Sequence, residues 1–210
     1  MKYFETLPSV VSVDRNNNLL SLKNLVTRAE LVDKLKSNVN LFYEYGIQDG
    51  DTPEIVAHKY YGDQNRFWIV LMANNIFDPE WDWPLNTNEF TTYLNDKYAV
   101  DAAEAELDVL SYTTSTAHHY EKIITTLDGA TLYQTSKNII VDEETYGEIV
   151  EKTETKTLTT GVTVNYTITK KTVYIYDYEV EQNESKRNIK LIKSQYANDM
   201  ETQLRKVMGA

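Results

Sequence analysis

YGIQDGDTPEIVAHKYYGDQNRFWIVLMANNIFDPEWDWPL, residues 45–85, is the stretch whose local signals all agree. Tyr45 and Ile47 alternate with small or polar neighbours, as in a short strand, and Asp49-Gly50-Asp51 supplies residues that tolerate the positive φ of a tight turn. A helix is predicted directly after it. Asp51 or Thr52 can accept a bond from a first-turn amide, Pro53 suits an early helical position, and Glu54 places negative charge at the positive end of the dipole. Ile55, Val56, Ala57 and Tyr60 form one apolar side, and Gly62 fits a left-handed cap. Phe67 to Ala73 is then apolar all round at helical length, so this second helix must be buried.

Two short helices in about forty residues can bury their faces only against each other and a small sheet, which predicts a βαα(β) unit. With Tyr45, Ile47, Ile55, Val56, Tyr60, Trp68 and Leu71 as its core, and with the Gly50-Asp51-Thr52 turn and Asn74-Asn75 in place, the stretch resembles the LysM module. The resemblance extends further. Asn74-Asn75-x-x-Asp78-Pro79-x-x-x-Trp83-Pro84, with Trp68 in the second helix, is similar to the baseplate wedge subunit with a LysM-like domain of T-even-like and other contractile-tailed phages. Asn183-Glu184-Ser185-Lys186-Arg187-x-Ile189-Lys190-Leu191 resembles that family's C-terminal signature. The resemblance covers roughly residues 40–98 and 174–208 and leaves the middle unmatched.

Outward from this stretch, Val10–Val13 and Leu19–Leu22 flank an Asn-rich turn and predict a hairpin. Residues 24–36 show helical spacing. Leu85 to Ala105 reads as a helix with Phe90, Tyr93, Leu94 and Tyr98 on one face, and Ala-Glu-Ala-Glu near 102–106 marks a boundary. Residues 109–180 turn β-rich, with strands at 157–169 and 172–180 and turns at Asp128-Gly129, Thr159-Thr160-Gly161 and Lys170-Lys171, which predicts a hairpin meander. A strand-like IKLI precedes an amphipathic helix capped by Ser194, with Ala197, Met200, Leu204 and Val207 on one side. The expected class is α+β: an N-terminal arm (1–40), a LysM-like βααβ domain with an extra helix (41–105), a β-rich extension (106–182), and a strand with a basic C-terminal helix (183–210).

The 210 residues include no cysteine, which removes disulfides and thiolate metal sites. A net charge of -11 argues against general binding to phosphate backbones. The surplus acid falls in 99–154 while Lys186 to Lys206 is basic; this is either a solvated surface or a polarity suited to docking between unlike partners. Sixteen tyrosines fit strands and interfaces equally. The N-terminus lacks the apolar core of a signal peptide, and no run reaches the roughly 20 residues of a membrane span.

No catalytic residue, metal site or cofactor is expected. His119 and Glu121 share a strand face but lack further ligands, and neighbouring His118 should point away. Asp78, Glu80 and Asp82 sit near Trp81 and Trp83, yet Asp78-Pro79 reads more simply as a turn. Walker A, G-x-S-x-G and G-x-G-x-x-G patterns are absent.

The resemblance implies a non-enzymatic structural protein of the virion tail baseplate, assembled in the host cytoplasm. It would join neighbouring wedge subunits to each other and to the central hub or tube, in several copies, six being expected, with neither nucleic acid nor membrane as partner. Gly50, Asp51, Thr52, Trp81, Trp83, Lys186, Arg187 and Lys190 are the candidate partner-binding residues, Trp81 and Trp83 reading either as caps on the core around Trp68 or as exposed anchors for a partner. The competing reading is a LysM-type module that binds peptidoglycan.

Overall fold

A computed structural model describes residues 3–27, 38–129, 131–159 and 161–208. The chain divides into two compact units: the first contains Met1–Phe90 and Asn183–Ala210, the second Thr91–Gln182. The second is therefore an insertion in the first, and the chain crosses between them within helices where four successive segments were expected. The expected boundary near 105 falls inside the second unit.

In the first unit, β1 (Ser9–Val13) and β2 (Leu19–Lys23) pair antiparallel around a turn in which Asp14 accepts bonds from the Asn16 and Asn18 amides at 2.7 and 2.8 Å. Of the helix expected over 24–36, residues 24–27 form a turn and the remainder lies outside the described residues. β3 (Phe42–Gly46) leads to α1 (Pro53–Tyr61). The Thr52 hydroxyl accepts from the Ile55 amide, Pro53 occupies the first turn, and Gly62 closes the helix at φ 72° with its amide bonded to the His58 carbonyl. α2 (Phe67–Ala73) buries Trp68, Ile69, Val70 and Ala73.

The partner of β3 comes from the far end of the sequence. It is β8 (Asn188–Ile192), antiparallel with Tyr45 opposite Ile189. Ile189, Leu191 and Ile192 turn inward while Asn188 and Lys190 are exposed, the period of a half-buried strand. Val56, Ala57, Ile69, Val70, Leu191 and Ala197 are fully enclosed. The Asn74 side chain grips the strand from α2: its Nδ2 donates to the Lys190 carbonyl and its Oδ1 accepts the Lys190 amide, both at 2.8 Å. The C-terminal helix, α8 (Ala197–Met208), also closes this core, with Ala197, Leu204 and Met208 buried. Arg66 ties it down through Glu201 at 2.8 Å and Asn198 at 2.7 Å.

α3 (Pro79–Asp82) and α4 (Thr87–Glu104) follow α2, and α4 carries the chain into the second unit. There α5 (Val109–Ser115), capped by Asp108, replaces the strand expected at its start. β4 (Ala117–Asp128), β5 (Gln134–Val141), β6 (Lys152–Thr157) and β7 (Thr163–Tyr174) form one antiparallel sheet in the order β5-β4-β7-β6. This is two hairpins joined along β4 and β7, and not a sequential meander, because α6 (Glu143–Glu148) carries the chain from one outer strand to the other.

β7 runs straight through Lys170-Lys171, which pair with Lys122 and Glu121, so no turn forms there. The strand expected over 172–180 gives way at Ile175 to α7 (Ile175–Ser185). Buried Ile175, Glu179 and Asn183 recur every fourth residue, so burial of one helical side overrides the alternating Tyr and Val pattern. α7 leads through β8 to α8 (Ala197–Met208).

Candidate interaction surface

The expected LysM-like core residues separate by depth. Ile47, Val56 and Trp68 are buried. Tyr45, Tyr60 and Leu71 are half-buried against the same cluster. Ile55 does not belong to the core: it is 41 % exposed, because the inward side of α1 carries Pro53, Val56, Ala57 and Tyr61.

Of the candidate partner-binding residues, Asp51 and Trp83 are turned to internal use. Asp51 is 7 % exposed. Its carboxylate accepts from Lys59 Nζ at 2.6 Å, the Tyr45 hydroxyl at 2.8 Å and the Gln48 amide at 3.2 Å. Burial alone would raise its pKa, but these bonds outweigh burial and hold the carboxyl below its ordinary value. Tyr45 is pushed up to about 12 by its own burial and by this neighbour. Trp83 is buried, and its Nε1 donates to the Asp51 carbonyl at 2.7 Å. The aspartate therefore fastens β3, α1 and the Trp83 loop together.

Gly50 adopts φ 80°, and Gly50 and Thr52 are exposed at the turn. They border a cavity of about 480 Å³ with Pro79, Glu80, Trp83 and Glu89. Trp81 is 67 % exposed, and its carbonyl accepts from Lys186 Nζ. Arg187 is half-buried, bonding Glu184 at 2.7 Å and pairing with Asp49 at 3.8 Å. Lys190 stands on the exposed side of β8. Trp81, Gly50, Thr52 and Lys190 thus remain open at the surface, while the other four hold the unit together.

The carboxylates near the tryptophans serve as local caps. Asp78 accepts from the Glu80 amide at 3.1 Å, and Asp82 from the Phe77 and Asp78 amides. Among the described residues no group of three or more His, Asp or Glu gathers as a metal site, and no helix is long and apolar enough to cross a membrane.

His118 and His119 do not diverge as expected. A register shift in β4 between Ala117 and His119 brings their Nδ1 atoms to 2.8 Å. His118 lies flat on Tyr178, with ring centres 3.8 Å apart, and His119 Nε2 sits 3.6 Å from Glu121. Burial and the neighbouring imidazole both lower the His118 pKa.

The largest feature missed at the sequence level is the exposure of the N-terminal hairpin. Val11, Val13 and Leu19 share one face and are 72 %, 56 % and 75 % exposed; Val10, Leu20 and Leu22 on the other are each near 45 %. Alternation normally marks a strand with one covered face. Here apolar residues occupy consecutive positions, and that was the available signal that both faces need covering. An isolated two-stranded hairpin is marginal in water. A second open apolar feature flanks α2, where Phe4, Leu25 and Phe77 rim a cavity of about 320 Å³. Trp68 lines it, and its Nε1–H has no acceptor among the described residues. An unpaired buried N–H costs roughly 1–3 kcal/mol.

Residues 4–208 match the family described as base plate wedge protein 53. No curated protein matches the chain.

Proposed function

The chain belongs to the base plate wedge protein 53 family, a structural component of the phage tail baseplate that assembles with other baseplate proteins, and from this premise we propose that it joins neighbouring wedge subunits to each other and to the central hub or tube. The observation that carries the proposal is the β1–β2 hairpin, whose aliphatic side chains are exposed on both faces. A hairpin apolar on one face calls for one covering surface. One that is apolar on both calls for two, which suits a chain that bridges subunits.

In this reading the β3, α1, α2 and β8 arrangement is a LysM-like block that acts as a passive support and performs no chemistry. Six copies encircle the tail axis, and incorporation takes place in the host cytoplasm. Gly50, Thr52, Trp81 and Lys190 supply secondary contacts.

The test replaces Val11 and Leu19, on one face, by Ser, and separately Leu20 and Leu22, on the other. Each pair leaves the isolated chain's stability within about 1 kcal/mol, since exposed positions contribute little. Each is expected to lose a different neighbour in baseplate co-purification, and full retention of all neighbours by both variants overturns the reading.

The peptidoglycan-binding alternative draws on the cavity of about 480 Å³ beside Gly50, Thr52 and Glu80. It is tested by retention of the whole chain on peptidoglycan, because residues 40–105 alone would lack β8.

A further inference from the structure

The β3–β8 pair has one outer edge sealed and the other open. On β8 the amide and carbonyl of Lys190 are both taken by the Asn74 side chain, as a further strand would take them. Lys190 therefore bonds away from β3, and so does Glu44, the residue opposite it. The flanking bonds agree: the Ile47 amide donates to the Arg187 carbonyl and the Lys193 amide to the Leu41 carbonyl, so Phe42, Glu44 and Gly46 turn their main-chain groups outward. Phe42 gives its amide to the Val39 carbonyl, and the Gly46 carbonyl accepts from Gln48 Nε2 at 2.9 Å. Of the three, Glu44 has both its amide and its carbonyl without a partner among the described residues.

An open edge is ordinarily guarded by lysine, proline or a bulge. β6, at the border of the larger sheet, carries Lys152 and Lys156. Phe42-Tyr43-Glu44-Tyr45-Gly46 has neither lysine nor proline, and its register with β8 is unbroken. Glu44 is exposed, and its carboxylate has no ion-pair partner among the described residues. On the other side of the strand the Tyr43 ring, 52 % exposed, stacks on Tyr60 at 5.6 Å and 14°. Gly46 has open space where a Cβ would stand, and with Glu44, Asn188 and Lys190 it borders a hollow of about 410 Å³. The edge thus offers free main-chain groups flanked by a carboxylate on one side and aromatic rings on the other.

We propose that an extended segment of a neighbouring baseplate protein adds to β3 as a further strand, with a Lys or Arg beside Glu44 and apolar residues beside Tyr43 and Tyr45. Unpaired N–H and C=O groups on a strand edge are matched by extended main chain. Alternation of side chains along that main chain then sets a basic residue on the carboxylate side and its neighbours on the aromatic side. β3 of a second copy fits poorly. Phe42 and Gly46 each have one group already committed, so the register that satisfies both Glu44 groups sets the two Glu44 carboxylates opposite each other, a destabilising pair. The assignment rests on the baseplate-joining reading and specifies where one of the neighbours docks.

The test compares amide hydrogen exchange in the free chain and in assembled baseplates. In the free chain the Glu44 and Gly46 amides exchange fast while those of Tyr43 and Tyr45, bonded to β8, are protected; in baseplates Glu44 and Gly46 are expected to slow by about tenfold or more. A photo-cross-linking phenylalanine analogue at position 43 then captures the docked strand, and peptide mapping is expected to find a segment of another baseplate protein with Lys or Arg between apolar residues. Glu44→Lys, at an exposed position, weakens co-purification of that neighbour about fivefold. Unchanged exchange of Glu44 and Gly46 in baseplates overturns the edge assignment. So do cross-links confined to this chain or to a second copy of it, a captured segment without a basic residue, and undiminished co-purification by Glu44→Lys. Those results leave hairpin-mediated joining standing. Failure of the wild-type chain to enter baseplates at all overturns the joining reading, and the edge assignment with it. Exchange and cross-linking are read with Glu44 in place, so they remain decisive even where Glu44→Lys fails to fold.

Discussion

Asn183 and Leu85 hold each other by a reciprocal pair of hydrogen bonds. The Leu85 amide donates to Asn183 Oδ1 at 2.7 Å, and Asn183 Nδ2 donates to the Leu85 carbonyl at 3.0 Å, across 98 residues of sequence. Asn183 is buried, so nothing else can answer those two backbone groups readily. The pair fixes, within the first unit, the two points between which the chain leaves and returns.

Asn183→Ala is therefore expected to cost about 2 kcal/mol, because it strands two backbone groups at once. Asn183→Asp keeps the acceptor and loses the donor, so it should fall between wild type and alanine. Urea unfolding followed by tryptophan fluorescence, which reports Trp68 and Trp83 of the first unit, orders the three.

Asp51→Asn should destabilise the same unit by about 2 kcal/mol, since the Lys59 pair is lost and the Tyr45 hydroxyl faces a weaker acceptor. The carboxyl titrates below its usual 3.8 in the folded protein. Its contribution is therefore present above pH 3.8 and is lost as pH falls through the lower folded value. Melting curves between pH 5 and 2 should show a shallower acid decline in the variant.

In the second unit, Glu179 is 5 % exposed and accepts from Lys97 Nζ at 2.7 Å and from the Tyr98 and Tyr93 hydroxyls at 2.6 and 3.1 Å. Burial opposes its charge, but these donors outweigh burial and keep it ionised, while Tyr98 is pushed up to about 12. Glu179→Gln should cost about 2 kcal/mol, discounted because Lys97 is half in solvent. Hydrogen exchange should show the loss in α4 and α7 amides between 91 and 182.

His118 contributes with the same sign in a higher pH range. Its folded pKa lies below 6.5, so the unfolded chain takes up the proton first, and stability present above pH 6.5 declines as pH falls through the folded value. The groups facing it are His119, Tyr178, Glu179 and Lys97. His118→Phe preserves stacking on Tyr178 and removes the proton site. The pH 7 to 5 decline in melting temperature of the second unit should flatten in that variant.

Residues 45–85 were legible because their signals are local: Thr52, Pro53 and Gly62 cap α1 regardless of what surrounds them. The identity of β3's partner was not legible, because pairing Tyr45 with Ile189 depends on closure over the whole insertion, and β propensity carries no address. Residues 175–180 misled for the opposite reason, since Val, Ile and Tyr favour strands while their helical side is set by what Glu179 meets in three dimensions. Asp51 read as a turn or helix-cap residue, and Trp83 as either a cap on the core or an anchor for a partner. Their mutual bond is a tertiary fact that spacing does not encode.

Since β8 follows the insertion in sequence, a nascent chain emerging from the ribosome exposes Val56, Ile69 and Val70 well before Leu191 exists to cover them. A premature stop codon anywhere in the inserted unit yields a product whose first ninety residues are all present and still cannot close. Such a fragment has the hairpin but no finished body to hold it. The order of the segments thereby makes closure of the first unit wait on synthesis of β8.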